Sequence, residues 1–421
     1  MSNSFNKEER VAFEELMEGF EDALVLSKNV SKYNVGSSEM ERSGDIIWRP
    51  QPYIMQTFDG MDQTANFEGK TQLAVPATLG FEKSAPWIMD AKELRDALQE
   101  GRLGEGAKQK LASDVNVAVM NVAANQGSLV VKRTVAATGF DDVALCEAIM
   151  NEQGVAGYER YLALSTRDYN GMAGNLASRE TMAGKPTTAY ERAFVGRVAS
   201  FDTFKLDYAN RLAAAAGGGA LTIDTQAAAA NYYTPRATRV ASTGEKSNVD
   251  NRYQTITISA TTNVAAGDCF TIAGVNACHH ITKGDTGQLK TFRVISVASA
   301  TTLVVSPPII SNQGSTGAEE QYKNCIVTES ATAAIVFLNT VAASVNPFWQ
   351  RDAIEVIPGH YQVPSDSGAA VMRASTENGI EIVFQKFYDI NTMKTKYRMD
   401  TLFGVVNKQP EMSGVILFSQ S

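Results

Sequence analysis

Two cysteines and two histidines crowd into one short stretch of the sequence, DCFTIAGVNACHHITKGD at residues 268–285. Thiolate and imidazole groups are preferred zinc ligands, so Cys269, Cys278, His279 and His280 are the first candidates for a metal centre. Structural zinc sites space their cysteines two to four residues apart, whereas these cysteines are nine apart and the histidines are adjacent. Adjacent side chains on a strand point to opposite faces. The spacing therefore predicts no metal site: Cys269 begins a strand as a small apolar residue, and both histidines lie on a loop or strand end.

The usual catalytic motifs are missing from the rest of the chain. There is no GxSxG, no P-loop with GK[ST] and no HExxH. The glycine-rich LAAAAGGGAL at residues 212–221 lacks the lysine and the hydroxyl residue of a phosphate-binding loop, and His360 stands alone in IPGHY. Asp141 and Asp142 follow a glycine and are typical of a helix N-terminus. The sequence thus predicts no catalytic residue, no cofactor and no enzyme.

Composition limits the remaining classes of function. The net charge of −8 argues against sequence-independent DNA binding, which needs a basic face, but it does not exclude a container for DNA. An apolar fraction of 44% allows a real core, and four unevenly spaced cysteines indicate a reducing compartment rather than a disulfide scaffold. The first residues show no secretory signal, and no stretch of about 18 apolar residues predicts a membrane span.

The elements that would carry function begin with an amphipathic helix predicted over residues 6–30. Asn6 can cap it, with Glu9 completing a capping box. Clustered acids, including Glu14, Glu15 and Glu18, occupy the positions away from the apolar stripe. They are either a solvated outer face or an acidic docking surface for a basic partner, because clustered like charge is mildly self-repelling. The stripe recurs at helical spacing at Phe13, Leu16, Met17, Phe20 and Leu24.

Residues 36–88 mix strand-like pieces with Gly, Pro and Asp turns, which predicts a long two-stranded excursion that needs a partner to bury against. A short helix is predicted at 90–101. A longer one follows over 106–126, with Gly127 as its C-terminal stop and a strand, SLVVKR, after it.

Mixed helix and strand signals over 140–215 give way to an Ala/Gly-rich linker and then to an almost wholly β block over 220–338. In RYQTITISATT, Ile256 and Ile258 face one side and Thr255 and Thr257 the other. Because α/β character returns after residue 340 and the chain ends in β, the pattern indicates an inserted β domain.

Several segments resemble, in this order, the major coat protein of short-tailed bacteriophages of the P22 type. The most specific are NVDNRYQTITISATT and the helix ending in ANQGSLV. The others are GDIIWRP, RVASFD, AAGDCFTIAGV and NPFWQRDAI.

The resemblance implies an α+β, HK97-like capsid fold with an inserted Greek-key-like β-barrel. The implied parts are an N-arm at 1–35, an E-loop region at 36–88, a P-domain with the spine helix at 89–135, an A-domain at 136–219 and 346–372, the I-domain at 220–345, and C-terminal P-domain strands at 373–421.

The resemblance also implies a function and partners. Such proteins assemble into hexamers and pentamers of an icosahedral procapsid, usually of T=7 symmetry, with a scaffolding protein and a portal ring. Assembly occurs in the host bacterial cytoplasm, and the shell expands as double-stranded DNA is packaged without sequence-specific binding.

Two sets of residues carry over from the family. Glu14, Glu15 and Glu18 match the N-arm patch that receives a basic scaffold helix. An inserted-domain loop that reaches a neighbouring capsomer is matched by Glu245, Lys246, Asp250 and Arg252, although a solvated hairpin tip stays open as the alternative.

Two other classes of protein stay open at this point. One is an encapsulin-like compartment shell with the same fold and enzyme cargo. The other is a carbohydrate-binding or hydrolytic protein, which would need a groove of exposed aromatics, and the β block contains no Trp.

Overall fold

A computed structural model describes most of the chain. The described residues are 5, 7–33, 46–52, 55, 57–64, 67, 70–90, 97–178, 195–206, 208–216, 221–223, 232–311, 317–328, 333–364, 368–377 and 379–421. Asn6, residues 34–45, residues 91–96 of the predicted short helix, and residues 217–220 and 224–231 in and after the Ala/Gly-rich linker lie outside them, although the sequence analysis used all of these.

The helices and strands are numbered in chain order. The helices are α1 Lys7–Ala23, α2 Ala97–Gln126, α3 Phe140–Glu152, α4 Thr166–Ser178 and α5 Gly317–Tyr322. The strands are β1 Ser31–Lys32, β2 Ile46–Pro50, β3 Ala74–Thr78, β4 Phe81–Asp90, β5 Leu129–Lys132, β6 Arg160–Ser165, β7 Arg197–Val198, β8 Phe201–Leu206, β9 Arg211–Leu212, β10 Thr238–Val240, β11 Lys246–Asn248, β12 Gln254–Thr257, β13 Cys269–Cys278, β14 Asp285–Val297, β15 Thr302–Ser306, β16 Cys325–Val327, β17 Ile335–Phe337, β18 Ala343–Ser344, β19 Asn346–Gln350, β20 Ile354–Pro358, β21 Ala370–Ser375, β22 Glu381–Asp389, β23 Lys394–Asn407 and β24 Ser413–Leu417.

The chain divides into two compact units. The first comprises Met1–Ile47, Pro76–Val122 and Ile354–Val406; the second comprises Trp48–Val75, Ala123–Ala353 and Asn407–Ser421. None of the described helices is both long enough and apolar enough to cross a membrane.

The first unit is built on a sheet in the order β1-β20-β23-β22-β21, with β4 pairing on β23. Its core includes a stack of aromatic rings centred on Phe384, which contacts Phe13, Trp87 and Tyr397 at centroid distances of 5.9, 5.8 and 5.9 Å. The predicted excursion over 36–88 is therefore shorter than expected, because β4 belongs to this sheet. The preceding strands β2 and β3 pair with each other.

Helix α1 has the predicted apolar stripe. Phe13, Phe20 and Leu24 are buried and Leu16 and Met17 are half-buried. The helix ends at Ala23 rather than at residue 30, and a 3-10 turn follows at Ser27–Asn29.

Helix α2 corrects the prediction of two helices separated at residues 102–105. It runs without a break from Ala97 to Gln126. A glycine inside a helix costs only about 1 kcal/mol and does not end it. Gly104 also has a packing role, because a Cβ there would lie 3.4 Å from Leu16 Cδ1.

The second unit contains a mixed sheet in the order β5-β24-β19-β6-β8-β7. Helices α3 and α4 bury Val143, Met150 and Met172 in one core with Leu162 and Phe348 of this sheet. For the described residues of the range 140–215, the predicted mixture of helices and strands is confirmed.

The second unit also contains the inserted sheet, in the order β12-β15-β14-β13-β16 with β17 pairing on β13. Ile256 and Ile258 are fully buried and Thr255 is exposed, which confirms the predicted alternation. The block is not purely β, since the short helix α5 precedes β16.

Candidate functional site

The cysteine and histidine stretch forms β13 and the turn that follows it. Cys269 begins β13 and is fully buried, while Cys278 ends the same strand and both histidines follow it, as predicted. All four cysteines are free and buried. Among the described residues no group of three or more His, Cys, Asp or Glu side chains could hold a metal ion. The imidazole of His279 packs instead over Gly154, where a Cβ would lie 2.6 Å from its Cε1.

His280 belongs to a buried ionic cluster with Lys290 and Glu411. The Lys290 ammonium pairs with Glu411 Oε1 and donates to the Asn324 carbonyl at 3.1 Å. His280 Nε2 lies 3.6 Å from Glu411 Oε2. Burial lowers the pKa of His280. Burial alone would raise the pKa of Glu411, but the charges of Lys290 and His280 outweigh this effect and hold the pKa of Glu411 below its ordinary value. The cluster joins the inserted sheet to the C-terminal segment.

Two more side chains of β14 contact backbone carbonyl groups just after α2. Thr291 Oγ1 donates to the Ser128 carbonyl at 2.8 Å, and Arg293 Nη1 lies 3.5 Å from the Gly127 carbonyl. Arg293 is fully buried, and its positive charge lies beside the C-terminal end of α2, where the helix dipole favours a cation.

The acidic residues predicted on α1 are all accessible. Glu14, Glu15 and Glu18 are exposed, and within the described residues none of them forms an ion pair. The opposite side of the helix is held in the first unit by burial of Phe13 and Phe20 and by an ion pair between Glu9 and Lys386. The helix therefore presents a negatively charged face on a fixed support.

Strands β10 and β11 form an exposed hairpin around Gly244, whose φ is +86°. Every residue of both strands is exposed, and the hairpin pairs with no other described strand. Glu245 and Lys246 lie at its tip and are exposed. A two-stranded hairpin with no buried side is marginally stable by itself.

The structure separates the other two predicted loop residues from this tip. Asp250 and Arg252 lie at the hairpin's base and pair with each other, with Nη2–Oδ2 at 2.7 Å and Nε–Oδ1 at 2.9 Å. Arg252 is buried, donates to the Asn407 carbonyl at 2.9 Å and lies 5.0 Å from the ring centroid of Tyr253. Glu245 and Lys246 are thus the pair available to a partner.

The loop between β2 and β3 is a second exposed arm. Four apolar side chains of its described part are exposed, namely Met55, Phe58, Met61 and Phe67. The two ends of the loop are joined by Gln51 N donating to the Leu73 carbonyl at 2.9 Å.

Comparison with known families decides which kind of protein carries these surfaces. The family model of the P22 coat protein, gene protein 5, matches residues 1–419. The chain belongs to the P22 coat protein family. It is a major capsid protein of a tailed phage, a structural and non-enzymatic component of the virion that assembles with copies of itself into an icosahedral capsid.

Family membership confirms the predicted fold class, an HK97-like capsid fold with an inserted β domain. It excludes the carbohydrate-active and encapsulin-like alternatives. The I-domain of the CUS-3 coat protein is 38% identical, covering 28% of this chain and 96% of that chain, with a TM-score of 0.22. A chain from Mycobacterium phage Che8 is 8% identical, covering 93% and 90%, with a TM-score of 0.43. A chain from the mature capsid of bacteriophage PhiM1 is 10% identical, covering 93% and 85%, with a TM-score of 0.39.

Sequence reasoning missed the residues that tie the coat protein's inserted sheet to its surroundings. Lys290, Arg293 and Glu411 were not singled out, although a charged residue inside an apolar strand such as FRVISV signals a buried polar contact. Tyr322 was also missed, because its short helix gives no periodic signal.

Proposed function

We propose that this coat protein assembles with a scaffolding protein and a portal ring into a procapsid, with the T=7 lattice that the family resemblance implies. The shell then expands around packaged double-stranded DNA. The observation that carries the scaffold part of the proposal is the exposed face formed by Glu14, Glu15 and Glu18 on a helix whose other side is anchored.

An acidic face of this kind is appropriate for binding a scaffolding protein that must later dissociate. Exposed opposite charges steer and orient association, yet each exposed pair contributes only about 0–1 kcal/mol and weakens with salt. A single basic amphipathic helix would therefore bind this face weakly. Many copies bound to one shell would be held firmly together, and they would dissociate when the shell expands. The net charge of −8 also disfavours adhesion of DNA to the coat.

The test combines three substitutions, Glu14→Gln, Glu15→Gln and Glu18→Gln, in the coat protein expressed with its scaffold. We expect scaffold affinity to fall on the order of tenfold and its salt dependence to flatten, because three weak charge contacts are lost. The matched control carries Asp at the same three positions and retains the charge. Closed shells with a full scaffold complement from the Gln variant, seen by electron microscopy, would reject this binding face.

For the exposed hairpin, we propose that Glu245 and Lys246 form salt bridges with a neighbouring capsomer. If the contact lies on a two-fold axis, each residue meets its opposite in the other copy. Glu245→Lys or Lys246→Glu alone should then lower shell yield, and the combined exchange should restore part of it. Equal shell yields from all three variants would show that the hairpin tip is solvated and forms no such salt bridges.

The domain boundaries given in the sequence analysis stay proposals, including residues 220–345 as an inserted domain that supports subunit folding. Deletion of 221–338 tests this role. A deleted chain that folds and assembles normally would exclude it.

A further inference from the structure

The two exposed arms of the second unit begin from neighbouring points. One arm is the loop between β2 and β3, and its ends meet at Gln51 and Leu73. Gln72 Nε2 reinforces that closure by donating to the Gln51 carbonyl at 2.6 Å. The other arm is the β10–β11 hairpin, which ends at Asp250.

The two arms are joined directly by backbone. Ala74 and Asp250 form an isolated parallel β-bridge. The loop therefore returns to the body alongside the residue that ends the hairpin, and the Asp250 carboxylate is in turn fixed by Arg252.

Both arms are also anchored on one short segment, formed by the last residue of β23 and the residue after it. Gln51 Nε2 donates to the Lys408 carbonyl at 3.2 Å, and Arg252 Nη1 donates to the Asn407 carbonyl at 2.9 Å. That segment is itself held, since Lys408 N donates to the Ala353 carbonyl at 2.8 Å. Adjacent carbonyl groups of one rigid segment thus receive one side chain from each arm.

Tyr322 of α5, in the inserted domain, forms hydrogen bonds with the end of the loop between β2 and β3. Its hydroxyl donates to the Thr71 carbonyl at 2.9 Å and accepts from Leu73 N at 3.4 Å. These contacts surround a common space, because a cavity of about 60 Å³ is lined by Gln51, Leu73, Arg252 and Tyr322 together with residues of the C-terminal segment.

We propose that these residues form a root junction that couples the orientations of the two arms, with Tyr322 as the positioning residue for the loop between β2 and β3. The root junction comprises Gln51, Thr71–Ala74, Asp250–Arg252, Tyr322 and Asn407–Lys408. Its role in assembly rests on the proposed function, in which the arms contact neighbouring subunits. The coupling itself is a property of the single chain, and by linkage it is reciprocal: a change at one root alters the other.

The test is hydrogen exchange by mass spectrometry on the full-length, unassembled coat protein. Tyr322→Phe keeps the ring and removes the hydroxyl. Exchange in the peptide covering residues 70–75 should rise about fivefold, the equivalent of one net hydrogen bond. Exchange in the hairpin peptide covering 238–249 should rise about twofold through the bridge. Tyr158→Phe, at an exposed tyrosine, is the control and should change neither peptide.

Arg252→Gln supplies the reciprocal measurement. It releases the hairpin root from Asn407, so residues 70–75 should exchange faster although no substitution touches them. In both variants, peptides from β13 and β14 should keep their protection, which separates the coupling from unfolding of the inserted sheet. If Tyr322→Phe leaves the hairpin unchanged and Arg252→Gln leaves 70–75 unchanged, the arms are independent and the proposal is overturned.

Assembly of the same variants distinguishes the coupling from the proposed function. With coupled arms that meet neighbours, Tyr322→Phe should raise the protein concentration needed for shell formation and broaden the size distribution of shells. Altered exchange with wild-type shells would support the root junction while rejecting its arms as intersubunit contacts. Unaltered exchange overturns the root junction whatever the shells look like.

Discussion

Replacing Lys290 by Met is the sharpest test of how the inserted sheet is held in this coat protein. The substitution removes the ammonium of a side chain that is 3% exposed, and this ammonium pairs with the carboxylate of Glu411, a side chain that is 13% exposed. Met fills a similar volume with an apolar chain, so the effect reports the lost charge rather than a cavity.

The expected loss of unfolding free energy follows from the Glu411 carboxylate that remains buried without its main partner. Without Lys290, the carboxylate of Glu411 keeps the His280 ring, at 3.6 Å from its other oxygen, and the charge of Lys283, which also acts on this cluster. Breaking a buried ion pair by removing one partner costs about 3–5 kcal/mol. Since about 1.4 kcal/mol is a factor of ten, exchange of the protected amides of β13 and β14 should accelerate by on the order of a hundredfold or more.

Hydrogen exchange on the unassembled chain measures this, with β8 as an internal reference. The double variant Lys290→Met with Glu411→Gln removes both charges and should cost clearly less than the sum of the single variants. Lys283→Met is the matched control: Lys283 is a partly buried lysine of the same cluster that donates to the Lys323 carbonyl, and its loss should cost about 1 kcal/mol. Strictly additive single and double variants would refute the assignment of a coupled pair.

Further predictions concern pH and glycine packing. Because burial holds the pKa of His280 below its unfolded value, the unfolded chain binds the extra proton, so the inserted sheet should lose thermal stability as pH falls from 7 to 5. His280→Gln should flatten that slope in calorimetry, and a slope equal to that of the unsubstituted protein would contradict this assignment. Gly414→Ala should destabilise the second unit by about 2–3 kcal/mol, because the new Cβ would lie 2.5 Å from Leu129 Cβ and cannot relax within a paired strand. Gly174→Ala, in an open helical position of α4, should instead stabilise by up to about 1 kcal/mol in the same urea titration.

Local pattern was enough to determine the elements and their buried faces. The stripe through Phe13 and Phe20 placed α1 on the core, and the alternation of Ile256 and Ile258 gave the buried side of β12. Cys269 was placed correctly at the start of a strand because the strand pattern is a local signal. Local signals failed where they were weak: glycines suggested a break in α2 that a continuous helix tolerates, and the six residues of α5 are too few for periodicity to show.

Local patterns were sufficient to assign most helices, strands and buried faces, and the ordered resemblance to one family indicated the fold. They could not show which distant groups meet in the folded chain. Lys290 and Glu411 are 121 positions apart, and Tyr322 and Thr71 are 251 apart. Periodicity predicts that a side chain is buried, but the group that it contacts depends on how distant parts of the chain pack together. The ionic cluster and the root junction are therefore properties of the folded chain, because long-range hydrogen bonds and ion pairs leave no trace in local spacing.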